Sequence, residues 1–289
     1  MTSRAKWLWA AGVVLAAGSA VTLAAGAVFC SATLHVPRTP VPKLAPAGAR
    51  TVSLRARDGV RLEAWHFAAP NHDGRCVILL HGIADRRGAG FAPLFLEAGY
   101  SVLAPDSRAH GESGGADVTY GLLEKHDLLD WAAWSRSQGC VAIYALGESL
   151  GAAVTIQPAE IEPAFRAIVA ECSFSDLETI GEYRLRASFG VPPPLDAWVV
   201  HAGMIWARVR YGFDFRNVSP RTAIAHTRTP ILLIHGLADR QTPPAHSEAL
   251  ARANPSAELW LVPGAGHTEA AQAAGPEFAR RVLAWFARH

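Results

Sequence analysis

Charge is scarce in this chain. Only 18% of its 289 residues are charged, and 27 lysines and arginines against 25 acids leave a formal +2. Residues 1–36 hold Arg4 and Lys6 and no acid, so the remainder carries 25 charges of each sign. A neutral body lacks the electrostatic footprint of a polyanion binder, so no nucleic-acid partner is expected. Cysteine is also scarce, and four in this length do not make a disulfide-stapled scaffold. No H-E-x-x-H or paired-cysteine motif occurs, so no metal is expected. No G-x-G-x-x-G follows a strand-like run, so no dinucleotide or other cofactor is expected. No repeat of 20–50 residues recurs. What is abundant is apolar surface. Half the residues are hydrophobic, too many for a disordered chain and enough for a large core.

The apolar excess begins at the N-terminus. Trp7 to Cys30 is a 24-residue run without a charge. As a helix it would reach about 36 Å, enough to cross a hydrocarbon core of about 30 Å. The run exceeds the roughly 7–15 apolar residues of a cleaved leader. A single-pass transmembrane signal-anchor is therefore expected over residues 1–36, with the short tail inside and the body extracytoplasmic. The alternative is a secreted protein cut at the A-x-A-like Ala25-Gly26-Ala27. Bulky Phe29 argues against lipidation at Cys30, and the absence of a polar face argues against a soluble helix. Residues 37–50 contain Pro37, Pro40, Pro42 and Pro46 and read as a semi-extended spacer.

Beyond Arg50, strand-like and helix-like pieces alternate. Thr51–Ala56 and Arg61–Phe67 flank Asp58-Gly59, a hairpin-turn signal. Cys76–Leu80, Tyr100–Ala104, Val141–Leu146, Ala167–Ala170, Ile231–Ile234 and Glu258–Val262 complete eight strands, most of them the continuous apolar runs of a buried parallel sheet. Phe91–Ala98, Leu122–Trp134, Leu150–Gln157, Ala245–Ala253 and Glu277–Arg288 have helical spacing. The expected fold is α/β: a mainly parallel eight-stranded sheet with helices on both faces. Its chemistry belongs at the carboxyl ends of the strands.

Four loops at those ends are informative. G-x-S-x-G occurs twice, as Gly147-Glu148-Ser149-Leu150-Gly151 and as Gly111-Glu112-Ser113-Gly114-Gly115. A nucleophilic serine needs a tight strand-to-helix turn. Ser149 has a strand before it and a helix after it, whereas no clear helix follows Ser113. Ser149 is thus the candidate nucleophile. A serine hydroxyl needs a base within reach and an acid to orient that base. His267, in Pro263-Gly-Ala-Gly-His267 after the last strand, is the candidate base. His81, His110, His226, His235 and His246 are rivals, and the glycine after His235 suggests a backbone role there. Asp239, in His235-Gly-Leu-Ala-Asp239, is the candidate acid, with Glu171 and Asp176 as rivals.

Taken together, these residues resemble the α/β-hydrolase superfamily of serine hydrolases. They are closest to its membrane-tethered, ABHD-like members and the related bacterial esterase/peptidase group. The order Ser149, Asp239, His267 is that fold's order. His81-Gly82-Ile83 looks like its oxyanion loop, and Asp106-Ser-Arg108 with Gly111 and Ser113 looks like its D-x-R-x-x-G-x-S segment. The resemblance covers residues 51–289. It implies an oxyanion hole made by the backbone N–H groups of Ile83 and Leu150.

Some 60 residues separate the strand ending near Ala170 from the one starting at Ile231, too many for a simple connection. They include Phe174, Tyr183, Phe189, Trp198, Trp206, Tyr211, Phe213 and Phe215. The segment of about 174–225 reads as a helical cap, and its aromatic residues suggest a small-molecule substrate with a partly apolar acyl group of unspecified length. The expected function is hydrolysis of carboxylic esters or thioesters through an acyl-enzyme. A serine aminopeptidase-like peptidase using Glu112, Glu148 or Glu171 to hold an amine is the alternative, and a catalytically silent binding protein a third. Cys76 and Cys140, both placed at the starts of neighbouring parallel strands, are expected to be free thiols. Oligomeric state is not legible.

Overall fold

The structure is a computed structural model describing residues 2–161 and 163–289. The side chains of Ala5, Lys6 and Val14 lie outside what is described, so the flanking base at Lys6 is placed only by its backbone. Helix α1 spans Ser3–Leu34, followed by strands β1 (Ala49–Arg55), β2 (Arg61–Phe67) and β3 (Arg75–Leu80). Helix α2 (Ala92–Glu97), β4 (Ser101–Pro105), α3 (Glu124–Ser137), β5 (Ala142–Glu148), α4 (Leu150–Ile156) and β6 (Ile168–Glu171) come next. The long connection is helical, with α5 (Leu177–Phe189), α6 (Leu195–Tyr211) and α7 (Pro220–His226). The chain ends with β7 (Ile231–Gly236), α8 (Ala245–Ala253), β8 (Glu258–Val262), α9 (Ala270–Ala274) and α10 (Pro276–Arg288).

The eight strands form one sheet in the order β1-β2-β4-β3-β5-β6-β7-β8. The β1–β2 and β2–β4 pairs are antiparallel, and the other pairs are parallel. Even strands buried on both sides keep the period of two. Val77 and Leu79, Val102 and Ala104, Tyr144 and Leu146, and Leu232 and Ile234 all join one core. Phe95 of α2 covers that face, as do Phe278, Val282, Trp285 and Phe286 of α10. The α10 residues recur at i, i+4, i+7 and i+8, the stripe of a helix lying on a sheet. The parallel register aligns the strand ends: Leu80 pairs with Gly147, Glu148 with Glu171, and Gly236 with Val262.

By compactness the chain divides into two units, residues 1–35 with 178–217 and residues 36–177 with 218–289. In the first, α1 packs along α6. The second holds the whole sheet. Residues 37–48 are not a loose tether there. Arg38 donates to the carbonyls of His110, Gly111, Ser113 and Gly115, and Thr39 Oγ1 donates to the Ala84 carbonyl at 2.6 Å.

One expectation is overturned. Cys76 and Cys140 are joined in a disulfide, with Cα atoms 5.8 Å apart. Cys140 does not begin a strand: it lies in the turn after α3, two residues before β5, and Ile143 is the register partner of Cys76. The bridge therefore runs from a strand to a neighbouring turn, where the spacing suits a disulfide. Cys30 and Cys172 are buried.

Candidate active site

Ser149 sits between β5 and α4 with φ 54° and ψ −115°, a conformation L-residues rarely adopt. The flanking glycines make the turn feasible. A Cβ on Gly147 would collide with the Gly151 carbonyl, and one on Gly151 with the Leu80 and His81 carbonyls. The Ser149 N–H donates to the Glu171 carbonyl at 2.8 Å, tying the turn to β6. Residue 150 opens α4, where a helix leaves its first backbone N–H groups without intrahelical partners.

The Ser149 hydroxyl lies 2.8 Å from His267 Nε2, and His267 Nδ1 lies 2.7 Å from Asp239 Oδ2. An imidazole that donates from Nδ1 to a carboxylate leaves Nε2 free to accept the serine proton. The structure thus brings together Ser149, Asp239 and His267, from loops 118 and 28 residues apart. The Asp239 carboxyl is held low. Burial alone would raise it, but hydrogen bonds from His235, His267 and the Thr242 N–H outweigh that cost. Its Oδ1 accepts from the N–H groups of Gln241 and Thr242 at 2.8 and 2.9 Å.

His235 was not expected to act through its side chain. It is fully buried, with Nε2 2.7 Å from the Thr242 carbonyl and 3.3 Å from Asp239 Oδ2. Its Nδ1 accepts from Ser247 Oγ at 2.6 Å. The ring therefore pins the Asp239 loop from behind. The backbone role read for His235 is thus corrected to a side-chain one; at the following Gly236 a Cβ would collide with the Ala265 and Gly266 carbonyls.

The rivals are engaged elsewhere. Ser113 Oγ donates to the Asp106 carbonyl at 2.8 Å and accepts from the Glu63 N–H at 2.9 Å, with 1% exposure. His81 Nε2 accepts from the Ser107 N–H, and His110 Nε2 from the Ala84 N–H. His226 Nδ1 bonds the Thr222 carbonyl, and His246 Nδ1 meets Ser175. Among the rival acids, Glu171 accepts from the Ala270 N–H at 3.0 Å, and Asp176 accepts from Ser175 Oγ at 2.8 Å.

The loop after β3 is ordered by its neighbours. His81 Nδ1 donates to the Gly82 carbonyl at 2.7 Å. In a trans peptide the N–H points opposite to the C=O, so this bond fixes the direction of the Ile83 N–H. A Cβ on Gly82 would lie 3.4 Å from Ser149 Cβ, placing this backbone against the serine. Burial, with His110 alongside, lowers the His81 pKa to about 4, so the ring stays neutral. Beneath it, Asp106 accepts from Arg87 and from the Glu112 N–H, while Arg108 grips Asp127 through two bonds of 2.7 and 2.6 Å. Glu148, next to the serine, is pushed up to about 8 by burial and by the charges of Glu171 and Asp85. Cys172 Sγ lies within 4.8 Å of ligand atoms on Asp239 and His267. Burial raises its thiol well above the ordinary value, and it accepts from the Thr268 N–H. Both ring nitrogens of His267 already have partners, so this group reads as part of the hydrogen-bonded site and not as a metal cradle.

A parallel sheet with one antiparallel excursion, a serine on a strained strand-to-helix turn, and a histidine and an acid from the last two strand ends define an α/β-hydrolase-superfamily serine hydrolase. The solved structure of the Pyrococcus furiosus esterase Pf2001 superposes with a TM-score of 0.70 at 26% identity, over 88% of this chain and 99% of that one. The model of the prolyl oligopeptidase family matches residues 91–289, and the chain belongs to that family. Among curated proteins it is 30% identical over 201 residues to the uncharacterized protein YqkD of Bacillus subtilis. That match covers 66% of this chain and 64% of YqkD, just under two thirds of the relative's length. It is also 26% identical over 246 residues to the uncharacterized protein YfhR of Salmonella typhi, covering 78% of this chain and 76% of that protein.

Proposed function

We propose that the protein hydrolyses carboxylic ester or thioester bonds of a small-molecule substrate with a partly apolar acyl group, through an acyl-enzyme on Ser149. The observation that carries this reading is the unbroken run of hydrogen bonds from Ser149 Oγ through His267 to Asp239. Ser149 Oγ attacks the acyl carbon as its proton passes to His267 Nε2. Asp239 stabilises the resulting imidazolium. The carbonyl oxygen becomes an oxyanion, accepting from the backbone N–H groups of Ile83 and Leu150. Collapse breaks the bond to the alcohol or thiol, which leaves with the proton from His267. Water, deprotonated by the same nitrogen, then attacks the acyl-enzyme and frees the acid and the serine. Donors aimed at charge that develops only in the transition state are worth on the order of 3–4 kcal/mol each.

A peptidase reading is favoured by the family's name. Against amine capture stand the three acids nearest the sequence motifs. Glu112 is ion-paired with Arg87, Glu171 is buried on the Ala270 N–H, and Glu148, at about 8, is mostly protonated at neutral pH. The ion pair, the burial and the protonation each weaken the hold on an ammonium. The test is turnover of p-nitrophenyl esters and acyl thioesters beside aminoacyl p-nitroanilides. Ester or thioester turnover with a burst equal to the enzyme concentration is expected. Turnover of the anilides alone would overturn the ester reading.

We propose a location from α1 and the disulfide. Trp7–Leu34 is 28 residues long with a peak mean hydropathy of 2.1, apolar enough for a membrane anchor or a signal. A disulfide persists in oxidising compartments. The disulfide supports a sheet unit outside the cytoplasm, and the length of the apolar run, beyond that of a usual leader, supports a retained single-pass anchor. Carbonate extraction should leave the full chain in the membrane fraction, and release into the soluble fraction would point instead to leader cleavage.

A further inference from the structure

The helices of residues 178–217 carry apolar surface that the hydrolase chemistry does not use. Phe189 is 71% exposed, Trp198 60% and Val209 78%, with Leu195 and Ile205 also exposed. Trp198, Ile205 and Val209 fall at i, i+7 and i+11, one stripe along α6. The stripe borders the contact with α1. Gly26 of α1 meets Ala202 and Gly203 of α6, and Gly203 in turn lies against the Gly26 carbonyl and Cys30. Further along, His35 and Tyr211 rings lie 5.8 Å apart. From Gly26 to His35 and from Ala202 to Tyr211 the count advances equally, so the two helices run in the same direction. Backbones approaching through glycine are the packing of helices in lipid.

That register sets depth. If the hydrocarbon begins at Trp7, beyond Arg4, a span of about 30 Å ends about 20 residues later, near Gly26. Leu195–Val200 then runs beside the last turns of α1 inside the bilayer, and the α5–α6 turn lies at the same end. The sequence of that turn fits. Residues 187–195 carry no charge, and Asp196, the one acid that follows, is 2% exposed and ion-paired to Arg186 at 3.1 Å. From Ala197 to Tyr211 there is no acid, and Arg208 and Arg210 stand at the opposite end of α6. Arginine stems can lie along apolar surface with their heads among lipid headgroups.

We infer that the α5–α6 hairpin is a second membrane element, its tip entering the leaflet crossed by the C-terminal half of α1 down to the headgroup–acyl boundary. The occupant of the exposed stripe is a lipid bilayer. The depth typical of such interfacial segments is about 5–10 Å. The inference rests on the retained-anchor reading of α1 and is independent of the catalytic one.

The test uses the full chain in vesicles of phosphatidylcholine and phosphatidylglycerol at 3:1, with and without a doxyl-labelled lipid. A polarity-sensitive maleimide fluorophore is placed in Trp198→Cys, Leu195→Cys, Trp9→Cys and Val141→Cys, with wild type carried through the same labelling as background and circular dichroism as the check of folding. Trp9, in α1, and Val141, an exposed residue of the sheet unit, are the two controls. Blue-shifted emission and loss of most of the signal to doxyl lipid are expected at 198, 195 and 9, with no change at 141. Quenching at 9 with positions 198 and 195 behaving like 141 would overturn the hairpin inference and leave the anchor standing. No quenching at 9, 195 or 198 would overturn both. A blue shift at 198 that depends on protein concentration and not on doxyl lipid would assign the stripe to a second copy and overturn the lipid assignment.

Discussion

Of the three proposed reacting groups, His235 meets the Asp239 carboxylate. Its ring joins Thr242 and Ser247 to the Asp239 loop and adds a bond to a carboxylate already held low by burial-opposing hydrogen bonds. A hydrogen bond to a charged group is worth about 1.5–3 kcal/mol, so His235→Ala should lower kcat roughly 10–100-fold with little change in KM. His235→Asn, which keeps a donor, should recover part of the loss; kinetics at saturating ester check both. Glu148 gives a pH-dependent counterpart. With its folded pKa raised to about 8 from an ordinary 4.5, the native state holds a proton that the unfolded chain has lost. Stability from this group is fully present below about pH 4.5 and declines as pH rises toward 8. Thermal melts of wild type and Glu148→Gln should therefore diverge across that window, wild type losing stability relative to the variant. Parallel pH profiles would contradict the shift. At this scale the sequence was legible where glycines and strand ends marked the spot: Ser149, Asp239 and His267 all qualify. It was not legible for His235. A histidine inside a buried apolar strand shows its partners only when the chain around residues 242–247 is folded over it. The direction of the Ile83 N–H was hidden for a similar reason, being set by the His81 ring.

The elements explain why Ser149, His267 and Asp239 can meet. Each of β5, β7 and β8 ends level with its neighbours, and the loops that follow are constrained by close backbone approaches at Gly147, Gly151 and Gly236. Gly151→Ala would drive a methyl into the carbonyls of Leu80 and His81, so β3 and α4 must separate. Loss of ester turnover and a Tm lower by several degrees are expected; scanning calorimetry and a burst assay measure the two effects. Strand positions were legible from apolar runs, and α10 from its stripe. Boundaries were shifted where side chains decided them. The helix expected at Leu122 begins at Glu124 because the Glu124 carboxylate accepts from the N–H groups of Thr119 and Gly121, holding the preceding turn out of the helix. Arg38 shows the same limit. A proline-rich segment reads as a tether, but one guanidinium fastens it to four carbonyls of the 110–115 loop.

For the whole molecule, the Cys76–Cys140 disulfide closes a loop with a sequence separation of 64. By loop-closure entropy that is about 4 kcal/mol, so Cys76→Ser with Cys140→Ser should lower Tm on the order of 10 °C. An unchanged Tm on substitution, or no response of the wild type to reductant, would contradict a bridge in the working protein. Its pairing was misread from sequence because register was assumed for Cys140, which sits in a turn. The division of the chain also escaped a linear reading, since residues 1–35 pack with residues 178–217, far along the polymer.

Whether Ser149 is the nucleophile is decided by peptide mapping of the folded protein after reaction with a fluorophosphonate. One adduct per chain is expected, on the peptide containing Ser149, lost in Ser149→Ala and strongly slowed in His267→Ala. An adduct on Ser113 or another serine, or a folded protein that takes up no label, would contradict it.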